Sequence, residues 1–332
     1  MVDVIHVESE FAPLRTVVLA RSEFATPAEA KDGPETRFLP DPGAIDFTGD
    51  LRDADPARQS RWEAERDALE EVLDSYGVEV LRPRPLTSAE KAFTGNAGYA
   101  NFFARDPFFT IGDHVIEGSM RFAHRRIEVL PMRGLFAEHV LTTGARYVAT
   151  PMPEVPEEHD PALGPGPFLE GGDVLVLGRH VFVGTSGLAS SPAGIAWLSH
   201  YLAPFGHTVE SVRLRPDILH LDCALGLVRE GLLVACPDAF LDGIPERLRA
   251  WDRIEVSLAE TARLATNGLP LDPDTYVTDP EFTHIGEQLK RRGITVEYVD
   301  FSVSRSFGGS FRCSTQPLRR TAEKPSDPGP AT

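Results

Sequence analysis

The sequence predicts an α/β fold built from repeated strand-strand-helix-strand units, arranged as a ring that closes on the chain's own first strand. Two observations carry that prediction. Three segments share one pattern: "PFFTIGDHVIEGS" from 107, "DVLVLGRHVFVGTS" from 173 and "CALGLVREGLLVAC" from 223 are each two short apolar runs around a Gly or charged turn, the signature of a β-hairpin. Helical stretches separate these hairpins and lead into further short strands, so a ring of units accounts for 332 residues better than one doubly wound sheet.

In chain order, "PLRTVVLA" from 13 reads as the strand on which the ring closes. Residues 23–55, rich in Pro, Gly, Asp and Ala without periodicity, read as a surface excursion. "PARQSRWEAERDALEEVLDSYG" then places Trp62, Leu69, Val72 and Leu73 near helical spacing among Glu and Arg, an amphipathic helix followed by the strand "VEVLRP". Helical stretches follow at "MRGLFAEHVLTTG", at "SPAGIAWLSHYLAPFG" with Ile195, Leu198 and Leu202 on one face, at "SLAETARLATNG" and at "EFTHIGEQLKRRG". Short strands such as "HTVESVRL" and "ITVEYVDF" complete the units, and "GLPLDPDTYVTD" from 268 is a poorer fourth hairpin. A single catalytic domain is expected over 1–318, with 319–332 as a disordered tail lacking apolar residues.

Charge narrows the partners. With 33 Lys+Arg against 50 Asp+Glu the net charge is -17, which disfavours nucleic acid and anionic membranes and favours a small cationic substrate. No apolar run has the length of a membrane span, and "MVDVIHVESEF" carries acids where a signal peptide needs a basic and then an apolar stretch, so a cytoplasmic protein is expected. Three cysteines without CxxC or Cys/His zinc spacing point to free thiols and to no metal site. Cys223 and Cys236 lie among Ala, Leu and Val, the setting of small buried hydrophobes.

Polar residues recur just upstream of each hairpin. Asp106 precedes the first, Glu170 the second, His220 and Asp222 the third, and Asn267 holds the same phase in the fourth. Singly, each has an ordinary explanation as a turn former or a hydrogen-bonded core group. Their shared phase is what sets them apart, because related units would bring them together at the axis. Cys313, in the glycine-loosened "FGGSFRCSTQPLRR", would join them as the ring closes. A cysteine nucleophile, a histidine acid/base and several carboxylates form a coherent set, and paired carboxylates facing a planar cation select a guanidinium.

On these residues the sequence resembles the guanidino-group modifying enzymes: arginine deiminases, dimethylarginine hydrolases and amidinotransferases. The matching segments are "RDPFFTIGD", "EGGDVLVLGRHVFVG", "LHLDC" and "GGSFRCSTQPLRR", in that family's order. The resemblance implies a five-unit pseudosymmetric α/β propeller with a central active site. It implies Cys313 as the nucleophile on the guanidino carbon, His220 as acid/base, Glu170 as the partner of His220, and Asp106 and Asp222 as holders of the guanidinium nitrogens. Arg125 falls where the hydrolases place an arginine for a substrate carboxylate; otherwise it is a surface charge. No metal or organic cofactor is implied, and a homodimer is among the assemblies allowed.

Departures bear on the reaction. The second carboxylate-binding arginine of the hydrolases is missing from "TSGLASSP", and that of the amidinotransferases from "ACPDAFLDG", leaving Arg125, Arg305 and Arg312 as the candidates for that task. Glu170 and Arg312 stand where amidinotransferases show Asp and His, which favours hydrolysis. The 23–55 excursion, the spacing and the lack of a large helical insertion favour transfer to an amine. A propeller that only binds is the third reading, and the joint presence of Cys313, His220 and Glu170 argues against it.

Overall fold

The computed structural model describes residues 4–26, 45–95, 98–153 and 166–322. Among them the strands form six small sheets, and five repeat one rule: an antiparallel hairpin whose second strand pairs in parallel with a third. The first unit is Phe108–Ile111, His114–Glu117 and Arg146–Ala149. The second is Val174–Leu177, His180–Thr185 and Thr208–Arg213, and the third is Leu225–Arg229, Leu232–Ala235 and Asp252–Glu255. Leu269–Asp272, Thr275–Thr278 and Thr295–Tyr298 form the fourth, so "GLPLDPDTYVTD" is a full hairpin.

The fifth unit joins the two ends of the chain. Thr315–Arg320 pairs antiparallel with Leu14–Leu19, which pairs in parallel with Glu79–Leu81, and His6–Val7 adds to its outer edge. Strand Leu14–Leu19 thus plays the part of a second hairpin strand whose partner comes about 300 residues later in the sequence, a pairing that the burial of Val17, Val18 and Leu19 makes worthwhile. The sixth sheet, Gly49–Asp50, Glu23–Thr26 and Tyr99–Asn101, lies outside the repeat.

Local chemistry accounts for the elements. In the first two hairpins Gly112 and Gly178 take positive φ of 54° and 59° in two-residue turns, a region a side chain disfavours. Helix Pro56–Ser75 starts with Asp55 accepting from the Arg58 amide and Pro56 in its first turn; it buries Gln59, Trp62, Arg66, Leu69 and Leu73 at three- and four-residue spacing and ends at Gly77, φ 70°.

The structure corrects several expectations. The "SLAETARLATNG" stretch has only one helical turn, Leu258–Thr261, and lies after the third strand of its unit; the third unit's crossover holds only the short turns Pro237–Ala239 and Glu246–Leu248. The 23–55 excursion is in part regular, since 23–26 and 49–50 are strand and Leu51–Ala54 is helix; 27–44 lie outside the described residues. The boundary at 318 falls inside a strand, because Arg319 and Arg320 are buried in Thr315–Arg320 and Arg320 donates to the Ala12 and Pro270 carbonyls. Residues 323–332 of the expected tail lie outside the described residues. Among the described residues no helix is long and apolar enough to cross a membrane.

Candidate active site

The segments just upstream of the five hairpins hydrogen-bond to one another in a closed cycle. Gly171 and Gly172 amides donate to Asp106, through its carbonyl at 3.2 Å and its Oδ1 at 2.9 Å. The Leu221 amide donates to Asp173 Oδ1 at 3.0 Å, and Thr266 Oγ1 donates to the Asp222 carbonyl at 3.0 Å. The Arg312 and Cys313 amides donate to the carbonyl and Oδ1 of Asn267, at 3.3 and 3.2 Å. The Arg105 amide closes the cycle on the Cys313 carbonyl at 3.1 Å. Residues far apart in sequence are thereby fixed around one point.

On one side stand His220, Glu170 and Asp106, each at most 1% exposed. His220 Nε2 donates to Glu170 Oε2 at 2.9 Å, and its Nδ1 lies 3.8 Å from Asp106 Oδ1. Burial pulls the imidazole pKa down, but Asp106, the Glu170 hydrogen bond and Asp173 outweigh it and raise it to about 10, so His220 is an imidazolium at neutral pH. Asp106 is held below the usual carboxylate range: burial opposes this, and His220, Arg125 and the Gly172 amide overcome it. Gly172 is required here, since a Cβ on it would come within 2.6 Å of His220 Nδ1 and 2.7 Å of Asp106 Oδ1.

Arg125 is not turned toward an open carboxylate site. Its Nη2 donates to Asp106 Oδ2 at 2.7 Å, its Nη1 reaches Glu170 Oε2 at 3.4 Å, and its Nε and Nη2 grip both oxygens of Glu128 at 2.7 and 2.9 Å. Its guanidinium also sits 5.7 Å from the centre of the Phe103 ring. Burial raises the Glu128 pKa to about 7 against the pull of Arg125.

Cys313 lies on the other side, 2% exposed, in the single turn Phe311–Ser314. Its thiol donates to Asp222 Oδ2 at 3.6 Å. Burial, with Asp222 and Asp106 adding to it, holds the thiol well above its ordinary range, and the Arg312 charge only partly opposes this. Arg312, the residue before Cys313, is buried: its Nη1 donates to Asp222 Oδ2 at 2.9 Å, its Nε and Nη2 clamp both Glu10 oxygens at 3.0 Å, and Nη2 also reaches the Val174 carbonyl at 2.6 Å. Gly309 lets Phe103 pack against this segment, since a Cβ there would fall 2.0 Å from the ring.

Cys313, His220, Glu170, Asp106, Asp222 and Asn267 therefore converge, as their shared phase predicts. Arg305 does not: it pairs with Asp279 and Glu281. Cys236 is a fully buried core residue, whereas Cys223 lies outside the hairpin strands in the turn Leu221–Ala224, with its thiol 3.7 Å from Asp222 Oδ1. Sequence reasoning missed Glu10, Glu128 and Asp173. Asp173 was legible as the acid of "EGGD": its Oδ2 accepts from the Ser190 amide, Ser190 Oγ accepts from the Glu170 amide, and its Oδ1 holds Leu221 beside His220. Asp106, Glu170 and His220 also offer three ligand atoms within 4.8 Å of one another, but Arg125 and the imidazole N–H already take them up.

The arrangement offers a sulfur nucleophile, an imidazolium beside a carboxylate, and carboxylates placed for a planar cation. The arginine deiminase family profile matches residues 99–257. The putative inosamine-phosphate amidinotransferase 2 of Streptomyces griseus is 29% identical over 282 residues, 78% of this chain and 80% of that protein. The L-arginine:L-lysine amidinotransferase of Pseudomonas savastanoi is 26% identical over 299 residues, 80% of this chain and 81% of its own. Among solved structures, an amidinotransferase of the saxitoxin pathway of Microseira wollei matches with a TM-score of 0.79 at 21% identity, covering 95% of this chain and 97% of that one. The chain is thus similar in sequence to amidinotransferases and, over 99–257, to the arginine deiminase family, and it shares its fold with a dimethylarginine dimethylaminohydrolase at a TM-score of 0.65 and 17% identity.

Proposed function

We propose that the protein is a cysteine-dependent enzyme that takes an amidino group from arginine or a related guanidine and passes it to an amine. The observation that carries the reading is the meeting of Cys313, His220, Glu170, Asp106 and Asp222 in one buried cluster, with the His220–Glu170 pair at 2.9 Å and the Cys313–Asp222 contact at 3.6 Å. In the first half-reaction the donor's guanidinium lies against Asp106 and Asp222. Its positive charge offsets the carboxylates that hold the thiol protonated, so the Cys313 thiol gives up its proton to solvent as the donor binds, and the resulting thiolate attacks the guanidino carbon. As the S–C bond forms, the C–N bond of the donor breaks, and the leaving amine takes a proton from the His220 imidazolium. Glu170 orients His220 and balances its charge.

In the second half-reaction an amine attacks the amidino-thioether. Its C–N bond forms, the C–S bond breaks, and neutral His220 recovers a proton from the incoming nitrogen. No metal or organic cofactor takes part in this scheme. The wider architecture in the same reading is a five-unit α/β propeller in one catalytic domain, supported by the five like sheets and by the cycle of hydrogen bonds between their upstream segments. A cytoplasmic enzyme, with a homodimer among the allowed assemblies, completes the reading.

Hydrolysis of the same intermediate by water, giving a urea-type product such as citrulline, is favoured by Glu170 and Arg312 standing where amidinotransferases carry other residues and by the arginine deiminase profile. Incubation with arginine and a panel of amines separates the two. Ornithine formed only when an amine is present supports transfer; citrulline formed without amine overturns it in favour of hydrolysis.

A further inference from the structure

We propose that Arg125 is an internal competitor for the guanidinium subsite, and so sets which guanidines the site accepts; the inference rests on the functional reading above. Both carboxylates assigned to the substrate's guanidinium already carry a guanidinium of the chain itself. Arg125 lies on Asp106 at 2.7 Å, and Arg312 lies on Asp222 at 2.9 Å.

The two differ in how they are held. Arg312 is clamped through Nε and Nη2 by Glu10, from a segment about 300 residues earlier, and by the Val174 carbonyl, so it stays in place when substrate arrives. Arg125 is gripped by Glu128, three residues along its own segment, where the local structure is the short turns Ala123–Arg125 and Leu130–Met132. When that segment moves, Arg125 and Glu128 leave together as a neutral pair, and no buried charge is stranded on the departing side.

What is left behind beside the Phe103 ring is a vacated Asp106 Oδ2, and next to it Glu170 Oε2, which keeps its bond from His220 and loses only the longer one from Arg125. A substrate guanidinium has the same charge, plane and donor fork as the one it replaces, so the exchange conserves charge and hydrogen bonds. In this state every nitrogen of Arg125 is committed to carboxylates, so it offers nothing to a substrate carboxylate. The site therefore selects for a guanidinium that displaces Arg125, and an α-amino acid head gains nothing from this residue.

The test is calorimetric titration of the Cys313→Ser protein, with and without Arg125→Met, using L-arginine and (4-aminobutyl)guanidine, which lacks a carboxylate. Removing the competitor tightens binding of both ligands by about tenfold or more. Glu128→Gln, which leaves Arg125 with only Asp106 and Glu170, weakens both. If Arg125→Met does not fold, Arg125→Lys, which keeps the charge and loses the fork, shows the same tightening at smaller size. Arg125→Met that weakens arginine alone marks a carboxylate clamp, and equal weakening of both ligands marks a structural prop; either overturns the proposal. If neither ligand binds any of these proteins, the functional reading itself fails and the competitor falls with it.

Discussion

The two guanidinium–carboxylate pairs of the site use the same chemistry in different mechanical settings. Arg312, Glu10 and Asp222 tie together the chain's beginning, its third unit and its end, all at 6% exposure or less. Arg125, Glu128 and Asp106 are equally buried, yet Arg125 and Glu128 share one short segment, and only the bonds to Asp106 and Glu170 cross to another part of the fold. An ion pair built across segments fixes a shape, whereas one built within a segment can move as a unit. The lesson is that burial alone does not say which charges a ligand can displace.

The largest expected effect lies between the two pairs. Cys313→Ser should lower turnover by roughly a thousandfold or more while preserving the fold, since the proposed mechanism loses its nucleophile and the side-chain volume is nearly kept. Steady-state assays beside thermal melts check this, and full turnover in the variant would remove Cys313 from the mechanism. Gly172→Ala comes next, with turnover down about a hundredfold, because its methyl must displace His220 or Asp106 by enough to spoil their alignment. Its melting temperature should fall much less than its rate.

The comparison itself is tested by stability. Arg312→Met leaves Glu10 and Asp222 buried without a partner and should cost about 3–5 kcal/mol, read from denaturant titration. Arg125→Met should cost less, since loss of the cation lets Glu128, already raised to about 7, take up a proton near neutral pH. Equal losses for the two variants would erase the distinction drawn here.

A smaller effect follows from protonation. The Cys313 thiol is held up by burial, Asp222 and Asp106, so iodoacetamide should alkylate it slowly at pH 8 and faster only at higher pH. Asp222→Asn should move that profile to lower pH, and an unmoved profile would deny Asp222 its electrostatic role. The smallest is in pH-dependent stability. The folded pKa of His220, about 10, exceeds the ordinary value, so its contribution is complete below about pH 6.5 and is lost as pH rises through 10. Melting temperatures of His220→Asn should fall less steeply than the parent's between pH 7 and 10.

Much of this was legible in the sequence because hairpins have a period and a turn chemistry of their own. Gly112 and Gly178 sit between short apolar strands buried along nearly their whole length, and the acids upstream of them share a phase that topology turns into proximity. The remainder lacked a local signal. Glu10 sits in an acidic N-terminal stretch with no hairpin signal, and long-range pairing with Thr315–Arg320 and with Val176 brings it to Arg312. Glu128 reads as one more charge in "HRRIE", and its burial comes from tertiary packing. The helix at "SLAETARLATNG" fails for the opposite reason: its local propensity is sound, but Ala262 to Asn267 are taken up by turns that deliver Thr266 and Asn267 to the Asp222 carbonyl.

The central claim is that Cys313 forms a covalent amidino-thioether with a guanidine donor. Its most direct test is to mix the protein with L-arginine, quench in acid within the first turnovers, and map the mass change by peptide mass spectrometry. The account predicts one added amidino group on the peptide carrying Cys313, absent from the Cys313→Ser protein and removed when an acceptor amine or water completes turnover. An unmodified Cys313 under conditions in which ornithine or citrulline accumulates would contradict it.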